Sequence, residues 1–312
     1  GSINLAKFVS NGQIDWQKLE QVVVIAIHFL DNVIDMNRYP LPQIREVSLA
    51  IRRIGLGVMG FADALVQLGV PYNSEAALQT ADEIIRFIRE KAVAASTGLA
   101  AARGAFPNFK GSIYDRPGGA RRRNATVLSI APTGTISIIA GCSSGIEPLF
   151  ALAFVRNVME GTRLLEVNPV FEQVARRRGF YSRELMEEVA REGTLRGISG
   201  VPDDVRKLFV TDWDIEPEWH VRMQAVFQKY TDNSVSKTVN LPAVATPQEV
   251  RRVYTLAHEL KCKGITVYRY GSKKQQVLTL AGQATDEAPE AGGFVTAESE
   301  FSGGCLAGTC PF

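Results

Sequence analysis

Two groups of residues in this sequence could do chemistry. The first is the run Asn124-Ala-Thr-Val-Leu-Ser-Ile-Ala-Pro132-Thr133-Gly134-Thr135-Ile136-Ser137. An apolar, strand-like stretch enters a Pro-Thr-Gly-Thr turn and continues into an apolar helical start. Gly134 permits close backbone approach, Thr133 and Thr135 offer hydroxyl donors, and free N–H groups at a helix start favour an anion. This suits phosphate binding by Pro132, Thr133, Gly134, Thr135 and Ile136; a capped helix without a ligand would use the same composition. The second group is Cys305 and Cys310, with four residues between them and Gly303, Gly304 and Gly308 nearby. Such a pair can close a disulfide reversibly. Roughly 24 flexible residues before it would give an r.m.s. reach of about 25–30 Å. Two unreactive cysteines, or half of a metal site, are the alternatives, and two ligands leave a metal site incomplete.

Other motifs carry less. Gly55-Leu-Gly57-Val-Met-Gly60 has the G-x-G-x-x-G spacing of a dinucleotide fingerprint. That fingerprint needs a preceding strand and an acidic residue about 20 positions on, at a strand end. Residues 48–53 instead look helical, and Glu75 falls in the first turn of a helix. The run reads as a tight strand-to-helix junction that needs small residues. Cys142-Ser-Ser-Gly-Ile-Glu147-Pro is a small polar loop with one carboxylate, able to line a pocket or simply to turn the chain. Cys142 and Cys262 read as small buried apolar residues rather than nucleophiles. His28, His220 and His258 are far apart in sequence, and no zinc spacing includes them. The arginine triplets at 121–123 and 176–178 lack the interleaved aromatics of a nucleic-acid surface.

The elements that must position these groups are mostly helical. Asp15 can cap a helix through Leu30 and Val33, with Leu19, Val22, Val23, Ile25 and Ala26 at helical spacing. Further helices are expected at 44–53, from Asn73-Ser74 to about Arg103, and at 168–178, 182–192, 216–230 and 246–261. The last opens on Thr-Pro-Gln-Glu, an N-cap followed by proline. Short β-rich runs lie between them at 54–58, 125–130, 151–158, 234–240, 264–268 and 277–280. Strands alternating with helices point to α/β architecture with much parallel sheet.

Composition agrees with an ordinary globular protein. The 312 residues are 46% hydrophobic and 22% charged, with a net charge of +2. A chain of this size buries roughly 75% of its unfolded surface. The small net charge gives no bulk attraction to nucleic acid. The most apolar run, residues 22–30, is too short for a bilayer span of about 20 residues. The first residues show no signal-peptide pattern, and four cysteines are too few for a disulfide scaffold, so a cytoplasmic setting is expected. Residues 1–280 read as one folded body. Residues 281–304, rich in Ala, Glu, Gly, Thr and Ser, begin a flexible tail over 281–312. Structured-looking sequence begins at once and without a Met, which suggests a piece, a processed chain or one half of a split protein.

Taken together, the blocks resemble the C-terminal part of a ribonucleotide reductase catalytic subunit, most of all the adenosylcobalamin-dependent class II. They are Gly1-Ser-Ile-Asn-Leu, Asn32-Val-Ile-Asp-Met-Asn, Arg53-Ile-Gly-Leu-Gly-Val-Met-Gly-Phe-Ala-Asp and Ala131-Pro-Thr-Gly-Thr-Ile-Ser. Gly141-Cys-Ser-Ser-Gly-Ile-Glu-Pro, Asp232-Asn-Ser-Val-Ser-Lys-Thr-Val-Asn-Leu-Pro and Lys263-Gly-Ile-Thr-Val-Tyr-Arg-Tyr-Gly-Ser complete the set, in the family's order. The resemblance implies the second half of a ten-stranded α/β barrel with surrounding helices. It also implies radical replacement of the ribose 2′-hydroxyl by hydrogen, with adenosylcobalamin as cofactor and a cysteine pair as electron source.

By the same resemblance, Pro132, Thr133, Gly134, Thr135 and Ile136 match the substrate-phosphate loop, with Ser137 and residues 142–147 supporting it. Cys305 and Cys310 match the tail pair that re-reduces the active site and is itself reduced by a thioredoxin-like partner. The family's radical cysteine lies in an Asn-Pro-Cys-Gly-Glu motif, which this sequence does not contain, and neither Cys142 nor Cys262 takes its place. A complementary N-terminal reductase chain or segment is therefore expected as a partner, besides the ribonucleotide substrate. No nucleic-acid or membrane partner is expected, and a dimer stays open. The competing reading is a non-catalytic subunit for nucleotide-phosphate binding or assembly.

Overall fold

The structure, a computed structural model, describes residues 1–157 and 163–272. The chain opens with β1 (Ser2–Asn4), a single 3-10 turn, and the hairpin of β2 (Val9–Ser10) and β3 (Gln13–Ile14). Helices α1 (Trp16–Met36) and α2 (Pro42–Ile51) lead to β4 (Gly57–Met59), α3 (Phe61–Leu68) and the long α4 (Glu75–Arg103). Next come α5 (Gly134–Ala140) and an antiparallel pair, β5 (Ala153–Asn157) with β6 (Arg163–Val167). Helices α6 (Pro169–Arg177), α7 (Arg183–Glu192), α8 (Asp203–Leu208) and α9 (Pro217–Tyr230) precede β7 (Thr238–Leu241), α10 (Pro247–Glu259) and β8 (Thr266–Arg269).

Helix boundaries follow local chemistry. Asp15 Oδ1 accepts from Lys18 N at 2.9 Å and starts α1, and Ser74 Oγ accepts from Ala77 N at 3.1 Å and starts α4. Asn168 and Ser182 cap α6 and α7 in the same way. Thr246 and Glu249 close a reciprocal capping box on α10. Helix α2 runs two residues earlier than the 44–53 expectation at both ends. Pro42 suits its first turn, and Arg52 turns left-handed (φ 46°), its N–H capping Ser48 O.

Five parallel segments lie side by side. Strand β1 pairs with β4, Leu56 bridges Leu128, Ile130 bridges Val235, and β7 pairs with β8. The expected strand at 125–130 is thus present as a segment joined by single bridges, and that at 234–240 begins at the Val235 bridge. The strand expected at 264–268 lies at Thr266–Arg269. The strand expected at 151–158 is β5 within the described residues, and the sequence did not announce its partner β6. The strand expected at 277–280, the 281–312 tail, and Cys305 and Cys310 lie outside the described residues.

The core forms where helices cover this array. Leu19, Val23 and Ile27 of α1 and Ile85 and Ile88 of α4 are fully buried. A smaller cluster joins Val221, Val239, Leu241 and Val253 between α9, β7 and α10. The glycines at 55, 57 and 60 serve packing. A Cβ on Gly57 would stand 2.3 Å from Ser129 O, and one on Gly55 would stand 2.8 Å from Ser129 Cβ. Gly60 takes φ +69° against the Asn4 side chain and caps α3. The junction reading of this run therefore holds, and its spacing reports strand packing rather than a dinucleotide site. Among the described residues, no helix is long and apolar enough to cross a membrane.

Candidate substrate-phosphate site

In a parallel array the carboxyl ends of the strands form the natural ligand crevice. Residues 131–133 leave the Ile130 bridge at that end and turn directly into α5. Thr133 caps α5 with a left-handed backbone, φ 55° and ψ 25°. A β-branched residue at positive φ is strained and persists only where its surroundings hold it. Its side chain is not spent on the helix, because Thr133 Oγ1 accepts from Gly145 N at 2.7 Å instead. The amides of Gly134, Thr135 and Ile136 then have no intrahelical acceptor. Pro132, Gly134, Thr135 and Ile136 are exposed, whereas Thr133 is 7% exposed. The five predicted residues are therefore brought together as one turn, exposed except for its buried anchor Thr133.

The loop at 141–147 braces that turn. Ser144 Oγ and Ser137 Oγ lie 2.8 Å apart, and Ser137 Oγ donates to Gly134 O at 2.9 Å. Gly60 N donates to Ser143 O at 2.7 Å, and Ser143 N to Asp63 Oδ2 at 2.6 Å. Burial pushes the Cys142 thiol up to about 11, the Asp63 carboxylate adding to it. Burial also raises that of Cys262. Both are half-buried rather than buried as expected, and neither supplies a ready thiolate.

The sequence did not single out a buried polar cluster behind this loop. Lys237, fully buried, pairs with Glu147 Oε2, donates to Thr238 O at 2.8 Å and meets His220 Nδ1 at 2.7 Å. Glu147 Oε1 accepts from Thr238 N at 2.7 Å. Asp212 accepts from Asn240 Nδ2 at 2.6 Å and stands 3.8 Å from His220 Nε2. Burial pushes the Asp212 carboxyl up to about 6, partly offset by Lys237. Burial and then the Lys237 charge hold His220 well below the usual imidazole range, so it stays neutral. The only sequence signal was that Glu147 and Lys237 each lie within a matching block.

At the opposite, amino ends of the strands, Asp31 is fully buried among arginines. Arg52 Nε donates to Asp31 Oδ1 at 3.0 Å, and Arg103 and Arg123 each approach Asp31 Oδ2 at 3.4 Å. Asn124 Nδ2 adds a bond to Oδ1 at 3.0 Å.

Two concavities are candidates for holding a cofactor. One, of about 370 Å³, lies against β1 and α1, and one of about 510 Å³ lies along α10. Pockets for drug-sized ligands run about 300–1,000 Å³, and a corrin with its nucleotide arm exceeds such a ligand. Both concavities are also open to solvent on one side. Neither of these two concavities fits a corrin by itself, and no chemical step is assigned through one.

Known proteins resemble this chain over most or all of its length. The family model for the ribonucleotide reductase barrel domain matches residues 1–121 and 119–268. The vitamin B12-dependent ribonucleoside-diphosphate reductase of Mycobacterium tuberculosis is 51% identical over 312 residues, covering 100% of this chain and 43% of that protein. The protein of the same name from Thermoplasma acidophilum is 52% identical over 291 residues, covering 93% and 38%. Among solved structures, the class Id ribonucleotide reductase alpha subunit of Actinobacillus ureae superposes with a TM-score of 0.73 at 25% identity, covering 86% of this chain and 49% of that one. The chain thus spans less than half the length of these relatives.

Proposed function

The chain belongs to the ribonucleotide reductase barrel-domain family, and from that premise we propose that it is the C-terminal portion of a ribonucleoside-diphosphate reductase. The reaction is replacement of a ribose 2′-hydroxyl by hydrogen. A dithiol is oxidised to a disulfide, and the displaced oxygen leaves as water. The relatives' names, with identity over 93–100% of this chain, favour adenosylcobalamin as the radical source and diphosphates as substrates. In this proposal the cofactor supplies the radical, and the chain's own part is to hold the substrate.

The observation that carries the reading is the turn at 132–136. Three amides without an intrahelical acceptor, a strained cap and a bracing loop sit at the carboxyl ends of parallel strands. There Gly134, Thr135 and Ile136 would bind the diphosphate. Cys305 and Cys310 would pass electrons from a thioredoxin-like reductant, in a reducing cytoplasmic setting. The Asn-Pro-Cys-Gly-Glu segment would come from a complementary N-terminal part.

The test is reduction of ribonucleoside diphosphates with adenosylcobalamin and a dithiol, by this chain alone and then with a chain carrying that segment. Turnover only in the mixture is expected. Turnover by this chain alone would overturn the assignment of the radical cysteine. Association without turnover would favour the binding-subunit alternative, as would a Cys305→Ser variant with unchanged turnover.

A further inference from the structure

Lys237 is an odd residue to bury. Its side chain is wholly enclosed, and burying an ammonium group is expensive unless its partners repay it. Its partners lie on separate elements: Glu147 in the bracing loop, His220 on α9, and the backbone of Thr238 beside it. Two residues past the Val235–Ile130 bridge, Lys237 stands level with the segment that enters the phosphate turn. Glu147 grips both the Lys237 Nζ and the Thr238 N–H, so the spacing between this strand and the bracing loop is fixed at two points. From Glu147 the loop reaches the turn by two bonds only two and three residues away, Gly145 N to Thr133 Oγ1 and Ser144 Oγ to Ser137 Oγ. Gly145 itself sits at φ +49°, where a Cβ would come within 3.3 Å of Ala131 O, so the loop has little room to shift.

We propose that Lys237 is a positioning residue for the substrate phosphates. Acting through Glu147, it holds residues 143–147 against the first turn of α5 and so fixes the aim of the Gly134, Thr135 and Ile136 amides. This rests on the phosphate reading of residues 132–136. Lys237 does not touch the ligand; it sets the geometry of groups that do, and a small misalignment of such groups weakens binding out of proportion to the displacement.

The experiment uses the assembled reductase, this chain together with the part that completes it. It measures dissociation constants for a ribonucleoside diphosphate and for the same ribonucleoside without phosphates. Lys237→Met is expected to weaken the diphosphate by about tenfold or more, a difference of about 1.4 kcal/mol, while leaving the nucleoside within about twofold. Lys237→Arg is expected to recover most of the loss. Thr133→Val, measured alongside, separates the role of Lys237 from that of the turn itself. If Thr133→Val weakens the diphosphate and Lys237→Met does not, the role of Lys237 is overturned and the phosphate turn stands. If Thr133→Val leaves diphosphate affinity unchanged, the phosphate turn itself falls, and the inference with it. Equal weakening of both ligands by Lys237→Met would mean general loosening and would also overturn the proposal. Should Lys237→Met fail to fold, Glu147→Gln keeps the side-chain shape and an acceptor for Thr238 N. It must then show the same selective loss.

Discussion

The two ends of the parallel array each hold a buried charge cluster, and the clusters are built oppositely. At the amino ends an anion, Asp31, sits among cations from several elements: Arg52 after α2, Arg103 at the end of α4, and Arg123 before the third strand segment. Both Asp31 oxygens are engaged, and Asn124 and Asp35 complete the set. At the carboxyl ends a cation, Lys237, sits among acceptors, and polar capacity is left over. Beside the Lys237 group, His220 Nε2 and Trp213 Nε1 are buried without a hydrogen-bond partner, as are Arg122 Nε and Nη1 near Asp232, outside the Asp31 group, and Asp212 is pushed up to about 6. A saturated cluster is what a fold needs to lock helices to strands. An unsaturated one, next to a strained turn, is what a binding site tolerates for the sake of geometry.

The largest effect that would break this contrast is at Asp31. Asp31→Ala leaves Arg52, Arg103 and Arg123 without their shared carboxylate, and loss of one member of a buried ion pair costs about 3–5 kcal/mol. Denaturant unfolding should show that loss. The diphosphate affinity of the folded, assembled protein should stay within about twofold of the parent. A selective loss of affinity would mean that the amino-end cluster also serves the ligand, and the division between the ends would be false.

The next effect is a pH dependence at the other end. The Asp212 carboxyl is raised from an ordinary 3.8 to about 6 by burial. Between those values the native state therefore binds more protons than the unfolded state, and stability falls as pH rises. The loss is complete once pH passes about 6, and for a carboxyl raised this far it amounts to about 3 kcal/mol at most. Asp212→Asn removes this ionisation while keeping a polar side chain. Its stability relative to the parent should rise between pH 4 and 6 and then level off, as followed by unfolding curves at several pH values. A flat difference across that range would show that Asp212 is not held protonated.

Between the ends, Gly57 tests whether strand packing, rather than either cluster, sets the array. A Cβ there would stand 2.3 Å from the Ser129 carbonyl oxygen, a backbone atom with little freedom. Overpacking of this kind costs typically about 1–3 kcal/mol, so Gly57→Ala should lower the unfolding midpoint. A neutral result would imply that the array is looser than its register suggests.

What the sequence disclosed follows the range over which each feature is written. Capped helix starts at Asp15, Ser74, Asn168, Ser182 and Thr246 are local, and each begins within a residue of its expected place. The phosphate turn is likewise local, a strand end, a left-handed cap and a helix start in consecutive residues. The Lys237–Glu147 pair spans 90 residues and exists only because parallel register brings two blocks together. Periodicity carries no trace of such a pairing, and His220, dismissed for lack of a neighbouring ligand, enters the cluster from a third element. Four of the five parallel segments were legible as β-rich runs, at 54–58, 125–130, 234–240 and 264–268, whereas β1 was not, being only three residues long.

The smallest expected effect lies on the rim of the amino-end cluster and sharpens what saturation means there. Arg103 contributes to Asp31 at 3.4 Å, but its side chain is 38% exposed and its shorter bonds go to Asn32 Oδ1 at 2.7 Å and His28 Nε2 at 2.9 Å. Water can replace those partners, and ion pairs open to solvent contribute about 0–1 kcal/mol. Arg103→Ala should therefore cost less than about 1 kcal/mol, with the loss shrinking further as salt is raised. Arg52, by contrast, has its side chain 4% exposed and contacts both Asp31 and Asp35. If Arg103→Ala proved as costly as Asp31→Ala, the cluster would depend on its full cation count rather than on its buried core. In that case the amino end would resemble the carboxyl end, a network held together only when every member is present.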